Sequence, residues 1–367
     1  MKTELLDSSP HSIGRACAIL ESQKIVALPT ETVYGLAGNA FDEASVRKIF
    51  SAKSRPYFDP LIVHISLKVL SDPAGVLHAL IRDGILAPSL AASSDRSNFE
   101  ALVKAFWPGP LTLVVPRGPL IPDVVTGGHP TVAIRMPSHE VFQSVLGLLS
   151  FPLAAPSANR FGRISPTTAE HVRAELDGRI AAIVDGGPCG IGVESTIIRL
   201  EEGGIRLLRP GGVSSAEIAS ITGSVPRTQQ RLHSSAPEAP GMLDEHYAPR
   251  KPLFLIPEPI DSHPDLRELL RELGDSSRLG LLLHAPVRSS FDVSSFKSHR
   301  ILSGSGDGAE AARNLFSFMR ELDEDPFVDV ILADLPENHF EGMFAAIADR
   351  LQRASRNKPL GQSVKKL

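Results

Sequence analysis

Short β-rich runs that alternate with amphipathic helices constrain the fold of this chain more than any other sequence feature. Lys24–Leu28 is a β-rich run that Pro29 stops, and Asp42–Phe50 has apolar residues on one helical face behind a capping aspartate. Pro60–Ser66 is typical of a buried strand. Strand, helix and strand follow one another at the distances of a βαβ unit. We therefore predict a sheet with helices packed against it.

The rest of the first 212 residues contains more predicted strands than helices. Helices are predicted at Ser12–Leu20, with Ser12 as a possible cap, and at Thr167–Leu176. Ile205–Leu208 is predicted to pair as a hairpin with the strand before it. Many strands with few helices indicate a twisted, mixed α/β sheet. The other predicted strands are Leu111–Val115, Val132–Arg135, Phe151–Ala155, Ala181–Val184 and Ser195–Leu200.

A change of composition near residue 211 indicates two domains. At 367 residues the chain is long for a single hydrophobic core. A segment rich in serine, proline and glutamine begins after Gly211–Gly212 and is typical of an extended linker. We predict a first domain over residues 1–212 with a ligand cleft, a linker over residues 213–250 that folds over this cleft, and a second domain over residues 251–367.

Strands and helices alternate more regularly beyond the linker, which is typical of a small parallel sheet with helices on both faces. We therefore predict a smaller, Rossmann-like α/β domain there. Gly304–Gly308 precedes a helix without the GxGxxG spacing, and we interpret it as a solvent-exposed turn. The predicted strands are Leu253–Ile256, Leu279–Leu283 and Val328–Ala333, and the predicted helices are Asp265–Leu273, Ala309–Leu322 and Gly342–Ser355.

The overall composition argues against several classes of protein. A hydrophobic content of 42% and a charged content of 22% are ordinary for a soluble globular protein. The formal net charge of −4 disfavours a global attraction to nucleic acid or anionic lipid. Cys17 and Cys189 cannot build a disulfide framework. No apolar stretch has the length of a signal peptide or a membrane span, so we expect a cytoplasmic protein that does not enter the membrane.

Two cations and an imidazole are predicted to gather around the start of one strand. Lys53 and Arg55 end a predicted helix, and His64 lies in the buried strand that follows. In isolation such cations are more often solvated, and such a histidine more often belongs to the core. Here Pro56 and the following strand restrict the conformations of these side chains and direct them toward the same region. Because arginine binds phosphate with a fork of donors and lysine adds a point charge, we predict a phosphate-binding pocket.

Polar loops also follow several other predicted strands. Pro29–Gly35 contains two threonines and a carboxylate, which could hold a small zwitterion. Pro156–Asn159 continues toward Ser165, and small residues of this kind let a backbone approach phosphate closely. Ser195 and Arg209 lie at the two ends of the predicted hairpin. Each loop is also compatible with a simple turn, and no motif indicates a covalent nucleophile.

Taken in order, these motifs resemble the threonylcarbamoyl-AMP synthase family in its long, two-domain form. The resemblance covers nearly the whole chain and includes Pro240–Met242 and His246–Pro249 in the linker. The motifs of the first domain are Pro29–Leu36, Lys53-x-Arg55, Pro60–His64, Trp107–Thr112, Arg135–Pro137, Pro156–Asn159, Glu194–Thr196 and Leu208–Gly211.

The resemblance implies a reaction and a set of site residues. The family condenses L-threonine, bicarbonate or CO₂, and ATP with Mg²⁺ into threonylcarbamoyl-adenylate and pyrophosphate, the first step of tRNA threonylcarbamoylation. Lys53, Arg55 and Arg209 would stabilise charge during the reaction. L-Threonine would be bound by Thr32, His64, Arg135, Ala155 and Ser195. ATP would be bound by Lys53, Arg55, Asp59, Thr131, Ser157, Asn159, Ser165, Arg209 and Tyr247 of the linker.

Position 59 departs from the resemblance. The family commonly has an asparagine where this chain has Asp59. A carboxylate near the phosphates of ATP would repel them unless Mg²⁺ or Lys53 intervened. The role of this position is therefore open.

The resemblance also implies downstream tRNA threonylcarbamoyl-transferase proteins as partners, with tRNA contacted only indirectly. Two other functions are considered: an RNA-binding module without catalysis, and carbamoyl transfer within a larger hydrogenase-maturation protein. Three tyrosines, one tryptophan and the net negative charge disfavour an RNA surface. The sequence has neither the acylphosphatase nor the zinc-finger segments that the second alternative requires.

Overall fold

The computed structural model divides the chain into two compact units. It describes residues 2–72, 74–228, 237–243, 246–262, 278–287, 293 and 296–355. The first unit comprises Met1–Phe161, Ser165–Gly190 and Glu194–Met242. The second unit comprises Gly162–Ile164, Ile191–Val193 and Leu243–Leu367.

The first unit is built on one large mixed sheet, as predicted. Its strands within the described residues are β1 (Glu4–Leu6), β2 (Val26–Leu28), β3 (Gly35–Asn39), β4 (Ile62–His64), β5 (Leu111–Pro116), β6 (Thr131–Arg135), β7 (Leu153–Ala154), β8 (Ala182–Val184), β9 (Thr196–Glu201), β10 (Gly204–Arg209) and β11 (Arg227–Thr228). Their order in the sheet is β1-β8-β2-β3-β7-β4-β6-β5-β9-β10-β11. Parallel pairs such as β4–β6 and antiparallel pairs such as β5–β6 both occur, and β9 and β10 form the predicted hairpin.

Helices cover the sheet of the first unit through two apolar clusters. Ala27 of β2 joins one cluster, which includes Phe50, whereas its neighbours Val26 and Leu28 join the other, which includes Phe142. Successive strand residues point to opposite faces, so the two clusters lie on opposite faces of the sheet. The helices are α1 (Pro10–Glu21), α2 (Glu43–Lys53), α3 (Val76–Arg82), α4 (Arg96–Phe106), α5 (Asp123–Thr126), α6 (Glu140–Leu148), α7 (Ala169–Leu176) and α8 (Ser215–Thr222).

The beginnings of two predicted helices can be compared directly with the structure. The carboxylate of Asp42 accepts hydrogen bonds from two backbone amides of the first turn of α2, at 3.2 and 3.1 Å, which confirms the predicted cap. The prediction for α1 was wrong by one turn. Pro10 is favourable at the first helical position, and the hydroxyl of Ser9 caps the helix by accepting from the amide of Ser12 at 3.3 Å.

Strand β3 was not predicted from the sequence. Its residues, Gly-Leu-Ala-Gly-Asn, have low β propensity, so its conformation depends on its antiparallel neighbours β2 and β7. A Cβ at Gly38 would lie 2.9 Å from the Ser45 hydroxyl of α2, so a glycine lets the helix approach the strand.

The second unit contains a four-stranded sheet in which all neighbouring strands are parallel, as predicted. The described elements are β12 (Leu253–Ile256), β13 (Leu279–Leu283), β14 (Ser298–Ile301), α9 (Gly308–Glu324), β15 (Val330–Asp334) and α10 (Gly342–Ala354). The strand order is β12-β15-β13-β14. The predicted helix Asp265–Leu273 lies outside the described residues, and β14 was not predicted. Within the described ranges, we find no helix whose length and apolar character would let it cross a membrane.

Gly211 lies against the backbone that carries Ser195, and its substitution tests this packing. A Cβ at position 211 would lie 2.3 Å from the amide nitrogen of Thr196 and 2.4 Å from the carbonyl oxygen of Glu194. Since backbone atoms cannot yield as a side chain can, Gly211→Ala should lower the free energy of unfolding by about 1–3 kcal/mol in urea denaturation. Gly14→Ala in α1 is the matched control, because no atom lies within 4 Å of its Cβ position. It should be neutral or stabilising, and equal destabilisation by both substitutions would contradict the packing.

Candidate functional site

The end of α2 brings Lys53 and Arg55 into the interior of the first unit. Ser54 adopts a left-handed conformation with φ 55° and ends the helix, and the cations on either side of it are 1% and 6% exposed. The ammonium of Lys53 donates to the carbonyl oxygens of Ser157, at 2.6 Å, and Asn159. Burial, assisted by the charge of Arg55, holds the pKa of Lys53 well below its usual value. Backbone carbonyl groups therefore fix this ammonium in place, and among the described residues no carboxylate is bonded to it.

Arg55 is paired with the buried carboxylate of Asp59. The Nη2–Oδ1 distance is 2.8 Å, and the guanidinium also donates to the carbonyl oxygens of Asp59 and Pro60 at 3.2 and 2.9 Å. Burial raises the pKa of Asp59, although the positive charges of Arg55, Lys53 and Arg209 oppose this effect. We call Lys53, Arg55, Asp59 and Arg209 the Lys53 cluster.

Arg209 reaches this cluster from the end of the β9–β10 hairpin. Its Nε and Nη2 donate to the carbonyl oxygen of Ser195 at 3.1 and 3.0 Å, and Nη2 also lies 3.1 Å from the Ser195 hydroxyl. Nη1 donates to the carbonyl oxygen of Pro240 at 3.2 Å. The hairpin thus brings together two predicted site residues that are 14 positions apart.

Residues 237–242 of the predicted linker pack on the sheet of the first unit. Ala239 and Met242 contact an apolar patch to which β4, β5, β6, β9 and β10 contribute. Glu238 forms ion pairs with Arg199 and, at 2.9 Å, with Arg206. This segment also supplies the carbonyl oxygen that Arg209 binds.

Arg135 is the centre of a second buried group at the ends of β4 and β6. His64 lies opposite Arg135 in the register of these parallel strands. The guanidinium donates to the Thr32 hydroxyl at 2.9 Å and to the carbonyl oxygen of Gly109 at 3.2 Å, and it lies 2.7 Å from Oε1 of Glu31. Burial alone would raise the pKa of Glu31, but the charge and hydrogen bond of Arg135 lower it below its usual value. We call Arg135, Glu31, Thr32 and His64 the Arg135 cluster.

His64 is a neutral imidazole within the Arg135 cluster. Its side chain is buried, its ring centre lies 5.1 Å from that of Phe142, and burial together with the charge of Arg135 lowers its pKa to about 3. Among the described residues, the buried Nδ1 of His64 has no hydrogen-bond partner. An imidazole of this kind is available to make a hydrogen bond with a bound ligand.

Thr112 and Ser195 connect the two clusters. Thr112 of β5 lies opposite Arg135 in the antiparallel β5–β6 register, and its hydroxyl lies 2.8 Å from that of Ser195. Ser195 in turn contacts Arg209. Strand register therefore places Thr112 beside Arg135, and side-chain contacts lead from Thr112 through Ser195 to Arg209 of the Lys53 cluster.

The other predicted site residues of the first unit lie on loops and strand ends. The Ala155 amide donates to the carbonyl oxygen of Ile62 at 2.9 Å, next to the end of β7. Ser157 forms an isolated bridge with Gly35. The Ser165 hydroxyl donates to Glu194 at 2.5 Å. Asn159 donates to the carbonyl oxygen of Arg160 at 2.8 Å, and Thr131 begins β6 opposite Pro116. Roles for these residues in binding ATP or threonine stay predictions.

Tyr247 belongs to the second unit and is buried there. Its backbone has a positive φ of 63°, which is uncommon for a residue other than glycine. Its ring stacks on that of Phe316 with ring centres 5.6 Å apart, and the guanidinium of Arg350 lies 5.3 Å from the ring centre. Its predicted role in ATP binding stays a prediction.

Glu31 and Thr112 were missed as members of the site. Both lie inside motifs that the sequence did reveal, Pro29–Leu36 and Trp107–Thr112. Their position inside these motifs was the signal that the sequence offered. Motif order does not show contacts, however, and these residues contact others that are far away in sequence. The Thr112–Ser195 contact, for example, spans 83 positions.

The low pKa of His64 predicts how the stability of the first unit depends on pH. The unfolded chain takes up a proton near pH 6.5, whereas folded His64 does so only at about pH 3. Its contribution to stability is therefore complete above pH 6.5 and is lost as the pH falls toward 3. In urea denaturation, His64→Gln should reduce the dependence of the unfolding free energy on pH between 6.5 and 4.5, by up to about 1.4 kcal/mol per pH unit.

The matched control for this measurement is His11→Gln, because His11 is exposed on α1. This control should keep the pH dependence of the wild-type chain. If His64→Gln also kept it, His64 would titrate normally in the folded protein, and its assignment as a buried neutral imidazole would be wrong.

Family models match both parts of the chain. The family model Sua5_yciO_yrdC, described as "Telomere recombination", matches residues 18–211. The family model Sua5_C, described as "Threonylcarbamoyl-AMP synthase, C-terminal domain", matches residues 213–356.

Curated relatives and a solved structure match over nearly the whole chain. The threonylcarbamoyl-AMP synthase of Pyrococcus abyssi is 38% identical over 350 residues, which cover 93% of each chain. The threonylcarbamoyl-AMP synthase of Bacillus subtilis is 37% identical over 362 residues, 96% of this chain and 95% of that one. The crystal structure of P. abyssi Sua5 complexed with L-threonine has a TM-score of 0.79 at 36% identity and covers 97% of this chain and 98% of that one. The chain therefore belongs to the threonylcarbamoyl-AMP synthase family, in its long, two-domain form.

Proposed function

We propose that this enzyme condenses L-threonine, bicarbonate or CO₂, and ATP into L-threonylcarbamoyladenylate and pyrophosphate. The observation that carries the proposal is the pair of buried, arginine-containing clusters with Thr112 and Ser195 between their strands. One cluster has a single arginine fork beside a neutral imidazole, and the other has three cations. The first cluster suits the carboxylate of a small amino acid, and the second suits a polyphosphate. The names of the curated relatives and the L-threonine complex of P. abyssi Sua5 support the same reaction.

The Arg135 cluster is the proposed threonine subsite. A guanidinium can bind a carboxylate through two parallel hydrogen bonds, and Nη2 of Arg135 already lies 2.7 Å from a carboxylate oxygen of Glu31. His64 offers its unpartnered nitrogen to the hydroxyl or the amine of threonine. Ser195 and the small side chain of Ala155 complete the proposed subsite.

The Lys53 cluster is the proposed subsite for the phosphates of ATP, which enters as its Mg²⁺ complex. Lys53, Arg55 and Arg209 would bind phosphate oxygens, and the cation and Mg²⁺ charges would offset the negative charge that develops at the α-phosphate. Thr131, Ser157, Asn159 and Ser165 are the proposed uncharged contacts of the nucleotide.

The proposed chemistry requires orientation and charge stabilisation rather than a covalent intermediate on the protein. The threonine amine attacks bicarbonate or CO₂ and forms a carbamate, with loss of water when bicarbonate reacts. A carbamate oxygen then attacks the α-phosphate, and pyrophosphate leaves. By holding the two substrates on neighbouring strands, the enzyme converts the encounter into an intramolecular step. We further propose that the product serves tRNA threonylcarbamoylation through separate transferase proteins.

The direct test of the proposed function measures pyrophosphate release from ATP by the purified chain with Mg²⁺. Release should require both L-threonine and bicarbonate and should accompany formation of a labile adenylate. Binding of ATP without threonine-dependent pyrophosphate release would contradict the proposal.

A double substitution tests the threonine subsite without leaving a buried charge unpaired. In Arg135→Gln with Glu31→Gln, both members of the buried ion pair become neutral, which avoids the large penalty of an orphaned carboxylate. Hydrogen bonds to charged groups are worth about 1.5–3 kcal/mol each, so the KM for L-threonine should rise about 100-fold in steady-state assays. The KM for ATP should change little.

The matched control neutralises an exposed ion pair of similar type. Arg47→Gln with Glu43→Gln removes the pair on the surface of α2, which should leave both KM values unchanged. An unchanged KM for L-threonine in the Arg135 variant would remove Arg135 from the threonine subsite.

A further inference from the structure

Asp59 is an acid buried in a cluster that is otherwise cationic. Its side chain is completely buried, and it forms an ion pair with Arg55 at 2.8 Å. In the part of the chain that the structure describes, neither of its carboxylate oxygens accepts a hydrogen bond of good geometry. The acid is therefore held by charge, and the hydrogen-bonding capacity of its oxygens is left for another group.

The charged groups that act on Asp59 come from two parts of the first unit. Lys53 and Arg55 lie at and just after the end of α2, and Arg209 lies at the end of β10. Helix α5 packs under the same loop, where the amide of Leu61 donates to the carbonyl oxygen of Val125 at 2.8 Å. The acid of this helix, Asp123, is exposed and paired with Arg117. Asp59 is thus subject to the charge of all three cations, and the carboxyl groups of Glu175 and Glu194 also act on Lys53.

An ionised Asp59 and a bound phosphate would compete for the same cations. Both groups only accept hydrogen bonds when ionised, so they cannot bond to each other, and two like charges in one site raise the pKa of the weaker acid. A protonated carboxyl group, in contrast, can donate a hydrogen bond to a phosphate oxygen. Burial already raises the pKa of Asp59 in the absence of a nucleotide. If Asp59 took up one proton from solvent, it would therefore no longer repel the phosphate or compete with it for the cations.

We propose that Asp59 takes up one proton when ATP binds, leaves its ion pair with Arg55 and donates a hydrogen bond to a phosphate oxygen. This inference rests on the proposed function, because it takes the Lys53 cluster as the phosphate subsite. The bound protein then holds one more proton than the free protein. Nucleotide affinity therefore falls as the pH rises, by up to tenfold per pH unit between the free and the bound pKa of Asp59.

The test is isothermal titration calorimetry with α,β-methylene ATP and Mg²⁺ in two buffers of different ionisation enthalpy, at pH 7.5 and 8.5. The difference in heat between buffers gives the protons taken up per nucleotide, after correction for the ionisation of the analogue itself. The wild-type chain should take up as much as one proton more than Asp59→Asn, because asparagine has a permanent donor. Asp59→Asn should also bind the analogue more tightly, with a gain over wild type that grows with pH by up to tenfold per unit.

Several outcomes would overturn the inference. Equal proton uptake by the wild-type chain and Asp59→Asn would mean that Asp59 stays ionised or stays protonated throughout. Loss of binding in folded Asp59→Asn would mean that the carboxylate itself is required. Zero corrected proton uptake by the wild-type chain alone would also overturn it, and this result does not depend on the folding of any variant.

The control and the assay of turnover separate this inference from the proposed function. Glu43→Gln, at an exposed acid of α2, should keep the proton uptake of the wild-type chain. A wild-type chain that binds no nucleotide would overturn both the inference and the proposed function. Threonine-dependent pyrophosphate release without proton uptake at Asp59 would overturn the inference alone.

Discussion

Two buried arginine–carboxylate pairs are the interactions on which the candidate site depends. Arg135 with Glu31 and Arg55 with Asp59 each place a guanidinium in the interior of the first unit. A buried cation without a partner costs several kcal/mol, whereas a paired one can persist in the folded chain without a ligand. Each carboxylate therefore holds its arginine in place, and we propose that a substrate anion binds to the same guanidinium group. On this proposal, Glu31 and Asp59 preorganise the two guanidinium groups for the anions of the substrates.

The mixed sheet explains how these pairs come together. Parallel pairing of β4 with β6 places His64 beside Arg135, and antiparallel pairing of β5 with β6 places Thr112 on the other side of Arg135. The β9–β10 hairpin then returns Arg209 to Ser195. A purely parallel sheet would collect strand ends of one direction only at such an edge. In a mixed sheet, loops that precede strands and loops that follow strands lie at the same edge and can both contribute to one site.

Elements with strong local signals could be predicted from the sequence. Val114 and Val115 lie in an apolar run that became β5, and Asp42 marked the start of α2 as its cap. Strand β3 could not be predicted, because glycine and asparagine give it a low propensity and only its neighbours make it a strand. Helices α3 and α4 were not predicted from the sequence.

The site was predictable as an ordered set of motifs but not as a set of contacts. The resemblance singled out Arg135, His64 and Arg55, all of which are buried in the two clusters. It did not reveal the contacts of Glu31 with Arg135 and of Thr112 with Ser195, because these residues are far apart in sequence. It did flag Asp59 as a departure, and the ion pair with Arg55 gives that acid a physical partner.

We propose that the Arg135 cluster and the Lys53 cluster hold the two substrates side by side. The most direct measurement is a crystal structure of the full chain with L-threonine, Mg²⁺ and α,β-methylene ATP bound together. We predict the threonine carboxylate on Arg135 and the phosphates on Lys53, Arg55 and Arg209, with the threonine amine close enough to the α-phosphate for one carbamate group to bridge them. Threonine bound away from Arg135, or phosphates bound away from the Lys53 cluster, would contradict the account.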